Sequence, residues 1–86
     1  MTSNLQFTAR AWDDYLYWQK QDKAVLRRVN LLIRDTQRSP FAGIGSPEPL
    51  KFGMAGCWSR RIDTEHRLVY RITDDMLIVL QCSYHY

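Results

Sequence analysis

Residues 57–86 read CWSRRIDTEHRLVYRITDDMLIVLQCSYHY, and apolar and polar side chains alternate through much of this stretch. Three runs, 57–62, 66–72 and 76–86, are separated by the polar connections 63–65 and 73–75. Alternation of this kind is typical of strands with one buried face. Because such short connections join antiparallel neighbours, the stretch predicts three successive antiparallel strands.

Side-chain parity predicts which face of this sheet is buried. Even-numbered positions of the three strands are apolar or aromatic apart from Arg60, so we expect them to pack on helices. One parity faces the same way on every strand only if each hairpin loop holds an odd number of residues, which three-residue loops satisfy. The opposite face then carries the cationic positions of the segment: Arg61, Arg67, Arg71 and His85.

Repulsion is expected on this cationic face. Arg61 is predicted near Arg67, and Arg67 near Gln81, while the acids of the segment lie in its turns. Like charges placed opposite each other destabilise paired strands. A bound anion such as a phosphodiester would relieve the repulsion. Solvation of the arginines, or an ion pair with a loop acid such as Glu48, would relieve it as well.

The first half of the chain predicts one short strand and two helices. Leu5-Gln6-Phe7 alternates as a strand does. Thr8 is placed to cap a helix that ends near Gln21. Asp22 is placed to cap a second helix, which ends near Arg38. Apolar residues at helical spacing mark the buried face of this second helix: Val25, Leu26, Val29, Leu32 and Ile33.

These elements predict an α+β fold with the chain order β-α-α-β-β-β. We expect about four strands in a small, mainly antiparallel sheet, with both helices packed on one face. A chain of 86 residues has room for one domain, so residues 1–86 are assigned to a single unit.

The segment between the second helix and the strands differs from the rest. Glycine and proline break its periodicity from Ser39 to Gly56, which predicts a long loop. Within it Glu48 lies between Pro47 and Pro49, and the two prolines restrict the backbone on both sides of the carboxylate. A stiffly held carboxylate suits a functional role, and a plain proline-rich turn is the alternative.

Composition narrows the class of protein. The net charge is +3 and nine of the twelve basic residues are Arg, which suits an anionic partner or simply a soluble surface. No apolar run reaches membrane-spanning length and no signal-type stretch begins the chain, so we expect a cytoplasmic protein without membrane contact.

Cys57 and Cys82 are predicted on opposite faces of the sheet, which would prevent a disulfide between them, so we expect both thiols to be reduced. No glycine-rich phosphate loop or carboxylate cluster indicates a cofactor or metal.

The polar groups near the cationic face match the needs of metal-free RNA cleavage. A base takes the proton of the ribose 2′-OH, an acid protonates the departing 5′-oxygen, and a cation stabilises the phosphoryl oxygens. His85 lies on this face by parity, and Glu48 and Lys51 join it if the loop folds over. A merely solvated terminal histidine is the alternative, because spacing alone does not assign such roles.

Several runs resemble one known family in order and spacing. SPEPLK at 46–51, WSRRI at 58–62, EHRLVY at 65–70 and YHY at 84–86 closely resemble the YoeB toxins of the RelE superfamily, as does WDDYLYW at 12–18. The resemblance implies a RelE-like fold and a ribosome-dependent mRNA endoribonuclease that acts in the A site and inhibits translation. It also implies a metal-free mechanism without cofactor, a YefM-type antitoxin as partner, and commonly a toxin homodimer.

The same resemblance implies roles for individual residues. Glu48 of the Pro-Glu-Pro-Leu run corresponds to the general base, Arg67 to the transition-state stabiliser, and His85 to the general acid. Three further positions correspond to residues that hold the phosphate or line the site: Lys51, Arg61 and Tyr86. The chain departs from the family pattern at Cys57 and at residues 52–55.

Two other functions remain open from the sequence. A silent RNA- or ribosome-binding module would block translation by occupancy, using the arginines without Glu48 or His85. A ribosome-independent cyclising nuclease would use all three groups on naked RNA.

Overall fold

The computed structural model describes Thr2 and residues 4–84 of the chain, so the predicted site residues His85 and Tyr86 lie outside the described residues. In chain order the elements are β1 (Asn4–Phe7), α1 (Ala9–Gln21), α2 (Lys23–Arg38), β2 (Glu48–Pro49), β3 (Cys57–Arg61), β4 (Arg67–Thr73) and β5 (Met76–Gln81). The predicted α+β class is confirmed.

Both helices begin at the predicted caps. The hydroxyl oxygen of Thr8 accepts a hydrogen bond from the backbone N–H of Ala11 at 3.1 Å. The carboxylate of Asp22 accepts from the N–H groups of Ala24 and Val25 at 3.1 and 3.2 Å. These bonds satisfy donors that a helix leaves unpaired in its first turn, which is why the helices begin where they do.

The sheet has five strands in the order β1-β5-β4-β3-β2. β1 pairs with β5 in parallel, and the other neighbours are antiparallel. The strand that sequence reasoning missed is β2, which consists of Glu48 and Pro49 and pairs with Ser59 and Trp58. Proline cannot donate to a strand ladder, so this strand is short and lies at the edge of the sheet.

β5 does not keep the parity predicted for it. Thr73 pairs with Met76, so the β4–β5 hairpin has a two-residue loop rather than a three-residue loop. An even loop reverses the parity, and Leu77 and Val79 lie in the core between sheet and helices. The prediction that the even-numbered residues face the helices is therefore wrong for the first part of β5.

A bulge then restores the predicted parity at the end of the chain. The β4–β5 register shifts between Val69 and Tyr70, which leaves Leu80 as an extra residue. Beyond it Gln81 pairs with Val69, and Cys82 returns to the core beneath the helices. The face of the last described residues is thus as predicted, although two irregularities of opposite effect produce it.

The sheet carries an apolar cluster on each face. The larger one lies between the sheet and the helices and includes Leu32, Tyr70 and Cys82. The smaller one lies on the opposite face and consists of Leu50, Cys57 and Val69, with Met54 and Leu80 packed against it. Cys57 and Cys82 are both free thiols in different clusters, which confirms their predicted separation.

Arg60 is the charged exception on the helix-facing side, and it is fully buried. Its guanidinium donates to the Asp35 carboxylate at 2.7 Å. It also donates to the backbone carbonyls of Ser39 at 2.6 Å, Ala42 at 2.9 Å and Ile44 at 3.1 Å. These bonds connect β3 to the end of α2 and to the loop that follows, so the buried charge is both paired with a carboxylate and solvated by peptide groups.

Two neighbours complete this network. The Tyr70 hydroxyl accepts from Arg60 Nε at 3.3 Å and donates to the Pro40 carbonyl at 2.6 Å. Burial raises the pKa of Tyr70, which keeps the hydroxyl proton available for that bond. Gly43 has φ +119°, and a Cβ there would overlap the Asp35 carboxylate, so glycine is required at this position.

Replacing Arg60 by Met should lower the free energy of unfolding by about 3–5 kcal/mol, since the substitution removes the cation paired with Asp35 and the donor to three carbonyls. Urea denaturation followed by circular dichroism measures the change. Arg27→Met, at an exposed position of α2, is the matched control and should change stability by less than about 0.5 kcal/mol. Equal effects of the two substitutions would contradict the structural role of Arg60.

The contribution of Asp35 to stability should depend on pH. Its hydrogen bond with Arg60, followed by that from the N–H of Ile44, holds the pKa of Asp35 below its usual value. Stabilisation by the carboxylate is therefore present above about pH 4 and is lost as the pH falls through the folded-state pKa. The stability difference between the unaltered chain and Asp35→Asn should shrink between about pH 7 and pH 2.5, and a constant difference would contradict this.

Candidate active site

Glu48 lies on the sheet face opposite the helices. It pairs with Ser59, which pairs with Val69, which in turn pairs with Gln81, so the four residues form one row across β2 to β5. Directly opposed residues project to the same side of a sheet. Because Val69 belongs to the cluster on the helix-free face, Glu48 also belongs to that face, where its side chain is exposed.

The predicted arginine pair lies in the adjacent row of the same face. Arg61 pairs directly with Arg67, as expected from the sequence. From strand spacing and rise, the Cα atom of Glu48 lies about 8 Å from that of Arg61 and about 12 Å from that of Arg67. Side chains of these lengths can contact one ligand across such separations. Gln81 pairs with Val69, two residues beyond Arg67, and is thus a diagonal neighbour of Arg67 rather than its opposite residue.

The guanidinium of Arg67 is held against the β3–β4 turn. Its Nη1 donates to the carbonyls of Asp63 at 2.9 Å and His66 at 3.2 Å. The Asp63 carboxylate closes the turn by accepting from the N–H groups of Glu65 and His66 at 2.9 and 2.7 Å. Burial opposes ionisation of Asp63, but these hydrogen bonds and the nearby His66 and Arg67 outweigh it and lower its pKa. The turn therefore restrains the guanidinium through peptide oxygens.

Lys51 lies beside Glu48 along one shallow concavity of about 390 Å³. Its lining residues are Glu48, Pro49, Leu50, Lys51, Phe52 and Met54. The buried side chain of Leu50 packs on Cys57 and Val69 and so attaches this segment to the sheet. Phe52 is 95% exposed at φ +50°, at the rim. The loop does fold against the cationic face, as the sequence reading required.

The described chain ends beside Arg67. The N–H of Arg67 donates to the Tyr84 carbonyl at 3.1 Å, and the N–H of Tyr84 donates to Nδ1 of His66 at 2.7 Å. Of the predicted site residues, the structure places Glu48, Arg61 and Arg67 on one face, and Lys51 lines the concavity beside Glu48. The placement of His85 and Tyr86 stays a prediction.

Sequence reasoning missed His66 as a functional candidate. It lies immediately before Arg67 at the even-numbered start of a predicted strand, a position that indicates only burial. Its ring packs edge-on against Trp18, with centroids 4.8 Å apart. It also lines a cleft of about 550 Å³ with acidic residues of α1. No pattern along the chain relates His66 to Tyr84, because the contact spans eighteen residues and depends on the hairpin and the bulge.

Within Thr2 and residues 4–84, no three His, Cys, Asp or Glu side chains are close enough together to hold a metal ion. No helix in this part of the chain is long and apolar enough to cross a membrane. That the reaction needs neither metal nor cofactor is a prediction from the sequence, and the structure does not test it.

Comparison with known proteins assigns the chain to a family. A family model for the YoeB-like toxin of bacterial type II toxin-antitoxin systems matches residues 7–86. Toxin YoeB of Escherichia coli is 56% identical over 82 residues, which cover 95% of this chain and 98% of that protein. The chain belongs to the YoeB toxin family. It is thus a toxin of a type II toxin–antitoxin system.

Solved structures of YoeB toxins have the same fold. A YoeB/ParE toxin from Agrobacterium tumefaciens superposes with a TM-score of 0.96 at 51% identity, covering 98% of this chain and 100% of that one. A YoeB dimer from Staphylococcus aureus superposes at 0.92 with 40% identity over the full length of both chains. A YoeB–YefM complex from Staphylococcus aureus superposes at 0.90 with 39% identity, also over both full lengths.

The cysteines of this YoeB-family chain are unsuited to nucleophilic chemistry. Burial raises the pKa of Cys82 to about 12, so the reactive thiolate is scarce at neutral pH. Cys57 is also buried, in the cluster on the other sheet face.

Native protein should therefore resist iodoacetamide at Cys82 at about pH 8, whereas protein unfolded in urea should be alkylated there readily. Mass spectrometry of the tryptic peptide that contains Cys82 measures the difference. Cys57→Ser removes the second thiol and simplifies the readout. Rapid labelling of Cys82 in the native state would contradict its burial.

Proposed function

We propose that this YoeB-family toxin is a ribosome-dependent mRNA endoribonuclease that cleaves mRNA in the A site. The observation that carries the proposal is the row arrangement on the helix-free sheet face. It places one exposed carboxylate, Glu48, within side-chain reach of the paired Arg61 and Arg67. A carboxylate and two guanidiniums on an open surface suit an RNA linkage, in which the ribose 2′-OH presents a proton to remove and the phosphodiester presents anionic oxygens to bind.

The reaction is a transphosphorylation within the RNA. Glu48 accepts the proton of the ribose 2′-OH, and the 2′-oxygen attacks the adjacent phosphorus in line with the leaving 5′-oxygen. The P–O5′ bond breaks as the new P–O2′ bond forms, which leaves a 2′,3′-cyclic phosphate on one fragment. His85, the next residue after Tyr84 in the sequence, is proposed to protonate the departing 5′-oxygen and so complete a 5′-hydroxyl on the other.

The cations stabilise the charge that develops on the phosphoryl oxygens. Arg67 is proposed for the transition state, because peptide carbonyls already restrain its Nη1 and a preorganised guanidinium needs little rearrangement during reaction. Arg61 in the same row and Lys51 in the adjoining concavity are proposed to hold the phosphate. Tyr86 is proposed to line the site.

The openness of the site supports the proposed dependence on the ribosome. Glu48, Lys51 and Arg61 are all exposed, and the concavity beside them is shallow. Such a surface binds backbone charge but offers little to align a flexible RNA for in-line attack. Positioning of reacting groups can supply about 7–11 kcal/mol of a barrier. A partner that holds the mRNA in place, here the ribosome, is proposed to supply it.

Inhibition is proposed to come from a YefM-type antitoxin, and the active toxin is proposed to be a homodimer in the cytoplasm. The support is that YoeB from Staphylococcus aureus has been solved both as a dimer and with YefM. An acidic and apolar antitoxin segment that folds on binding would neutralise the arginines of the cationic face.

Glu48→Gln, Arg67→Ala and His85→Ala should each lower cleavage of ribosome-bound mRNA by about 10²–10⁴-fold, since each removes an acid–base or charge-stabilising group. Mapping of mRNA 5′ ends after induction measures the loss. Arg71→Ala is the matched control. Arg71 is an exposed arginine on the same strand as Arg67 but pairs with Cys57, so cleavage should stay near that of the unaltered toxin.

Three outcomes separate this proposal from its rivals. Full cleavage by all three variants would exclude the mechanism. Growth arrest by the unaltered toxin without new mRNA ends would favour a module that acts by occupancy alone. Equal cleavage of naked RNA by the purified toxin would exclude dependence on the ribosome.

A further inference from the structure

The chain end is held by side chains as well as by the sheet. The N–H of Cys82 donates to the Asp14 carboxylate at 3.0 Å, and its carbonyl accepts from Trp18 Nε1 at 2.8 Å. The Ser83 carbonyl accepts from the Gln81 side-chain amide at 3.1 Å. Regular strand pairing has ended at this point, so these contacts determine the path of the backbone toward Tyr84.

The last of these contacts is made by His66. Its Nδ1 accepts the backbone N–H of Tyr84 at 2.7 Å. An imidazole nitrogen that accepts a hydrogen bond carries no proton, so the ring proton is on Nε2, which faces a Glu65 carboxylate oxygen at 3.5 Å. The ring contacts Trp18 edge-on and lies 5.2 Å from the Tyr84 ring. The tautomer and orientation of His66 are thus set by groups on three sides.

We propose that His66 is a positioning residue whose Nδ1 sets where the C-terminal end leaves the sheet. The Tyr84 N–H bound to His66 and the Tyr84 carbonyl bound to the N–H of Arg67 fix both sides of one residue. His85 follows Tyr84 in the sequence, so the position of Tyr84 bears on the proposed general acid. This consequence for catalysis rests on the proposed function, whereas the positioning itself does not.

Protonation of His66 should release this contact, because an imidazolium has no acceptor at Nδ1. Acidic groups surround the ring: Asp13 and Asp14 from α1 line the same cleft with Glu65, and Asp63 accepts from the His66 backbone. Two cationic residues are nearby: Arg10, whose Nε lies 3.7 Å from an Asp14 carboxylate oxygen, and Arg67, which follows His66 in the sequence. Tyr17, Ser83 and Tyr84 complete the cleft.

Amide hydrogen exchange of Tyr84 tests the proposal directly in the full-length toxin without RNA. His66→Phe keeps an aromatic ring against Trp18 but removes the acceptor, and Tyr84 exchange should become faster by about tenfold. His66→Asn loses the ring but places an amide oxygen near the Nδ1 position, and exchange should stay within about threefold of the unaltered toxin. The Trp18 indole NMR signal and the amides of β4 report whether each variant remains folded.

The pH dependence supplies an independent readout. In the unaltered toxin the protection factor of Tyr84, corrected for intrinsic exchange, should fall on acidification, because a protonated Nδ1 cannot accept a hydrogen bond. In His66→Asn it should not fall. The proposal would be overturned if Tyr84 stayed fully protected in folded His66→Phe, or if His66→Phe and His66→Asn lost the same amount of Tyr84 protection. It would also be overturned if Tyr84 protection in His66→Asn depended on pH as it does in the unaltered toxin.

Cleavage assays connect this contact to catalysis. His66→Phe should lower kcat with little change in KM, because Lys51 and Arg61 remain in place to bind RNA, and His66→Asn should restore most of the loss. If the unaltered toxin cleaves no mRNA, the proposed function fails while the exchange data still decide the role of His66. If cleavage occurs but Tyr84 exchange is unaffected by His66→Phe, only the positioning role fails.

Discussion

The buried guanidinium of Arg60 is the constraint on which the rest of the structure depends. It lies near the end of β3 and is paired with Asp35 of α2, and peptide carbonyls of the loop after α2 surround it. A lone buried charge would be strongly destabilising, so the loop must close around it for the fold to be stable. The network thereby fixes the segment that leads from α2 to the short edge strand. Glu48 then joins the sheet by pairing with Ser59.

Once β2 is paired, ordinary sheet geometry builds the candidate site. Glu48 is placed one row from the Arg61–Arg67 pair, and the small cluster around Leu50 and Val69 holds the loop on this face. The like-charge pair costs stability in the free protein. A phosphodiester bound between the two guanidiniums, as proposed above, would relieve that cost.

The two irregularities of β5 connect the core with the chain end. The two-residue hairpin puts Leu77 and Val79 into the core, and the bulge at Leu80 then returns Cys82 to the same side. Without the bulge, the residues after Gln81 would project to the opposite faces. Trp18, Asp14 and His66 could not then make their hydrogen bonds with this segment. A local defect in strand pairing is thus what brings Tyr84 beside Arg67.

The sequence by itself determined the two helices with Thr8 and Asp22 as caps, the three C-terminal strands, the pairing of Arg61 with Arg67 and the separation of the cysteines. These features depend on neighbours a few residues apart, where periodicity and capping act. Family resemblance supplied the roles of Glu48, Arg67 and His85, which spacing could not assign. Only the tertiary structure decided the partner of Arg60, the pairing of β2, the reversed parity of β5 and the contact between His66 and Tyr84. Each of these depends on a loop length, a bulge or a long-range hydrogen bond. Which of these forms is favoured depends on how distant segments pack together, and a local sequence pattern does not contain that information.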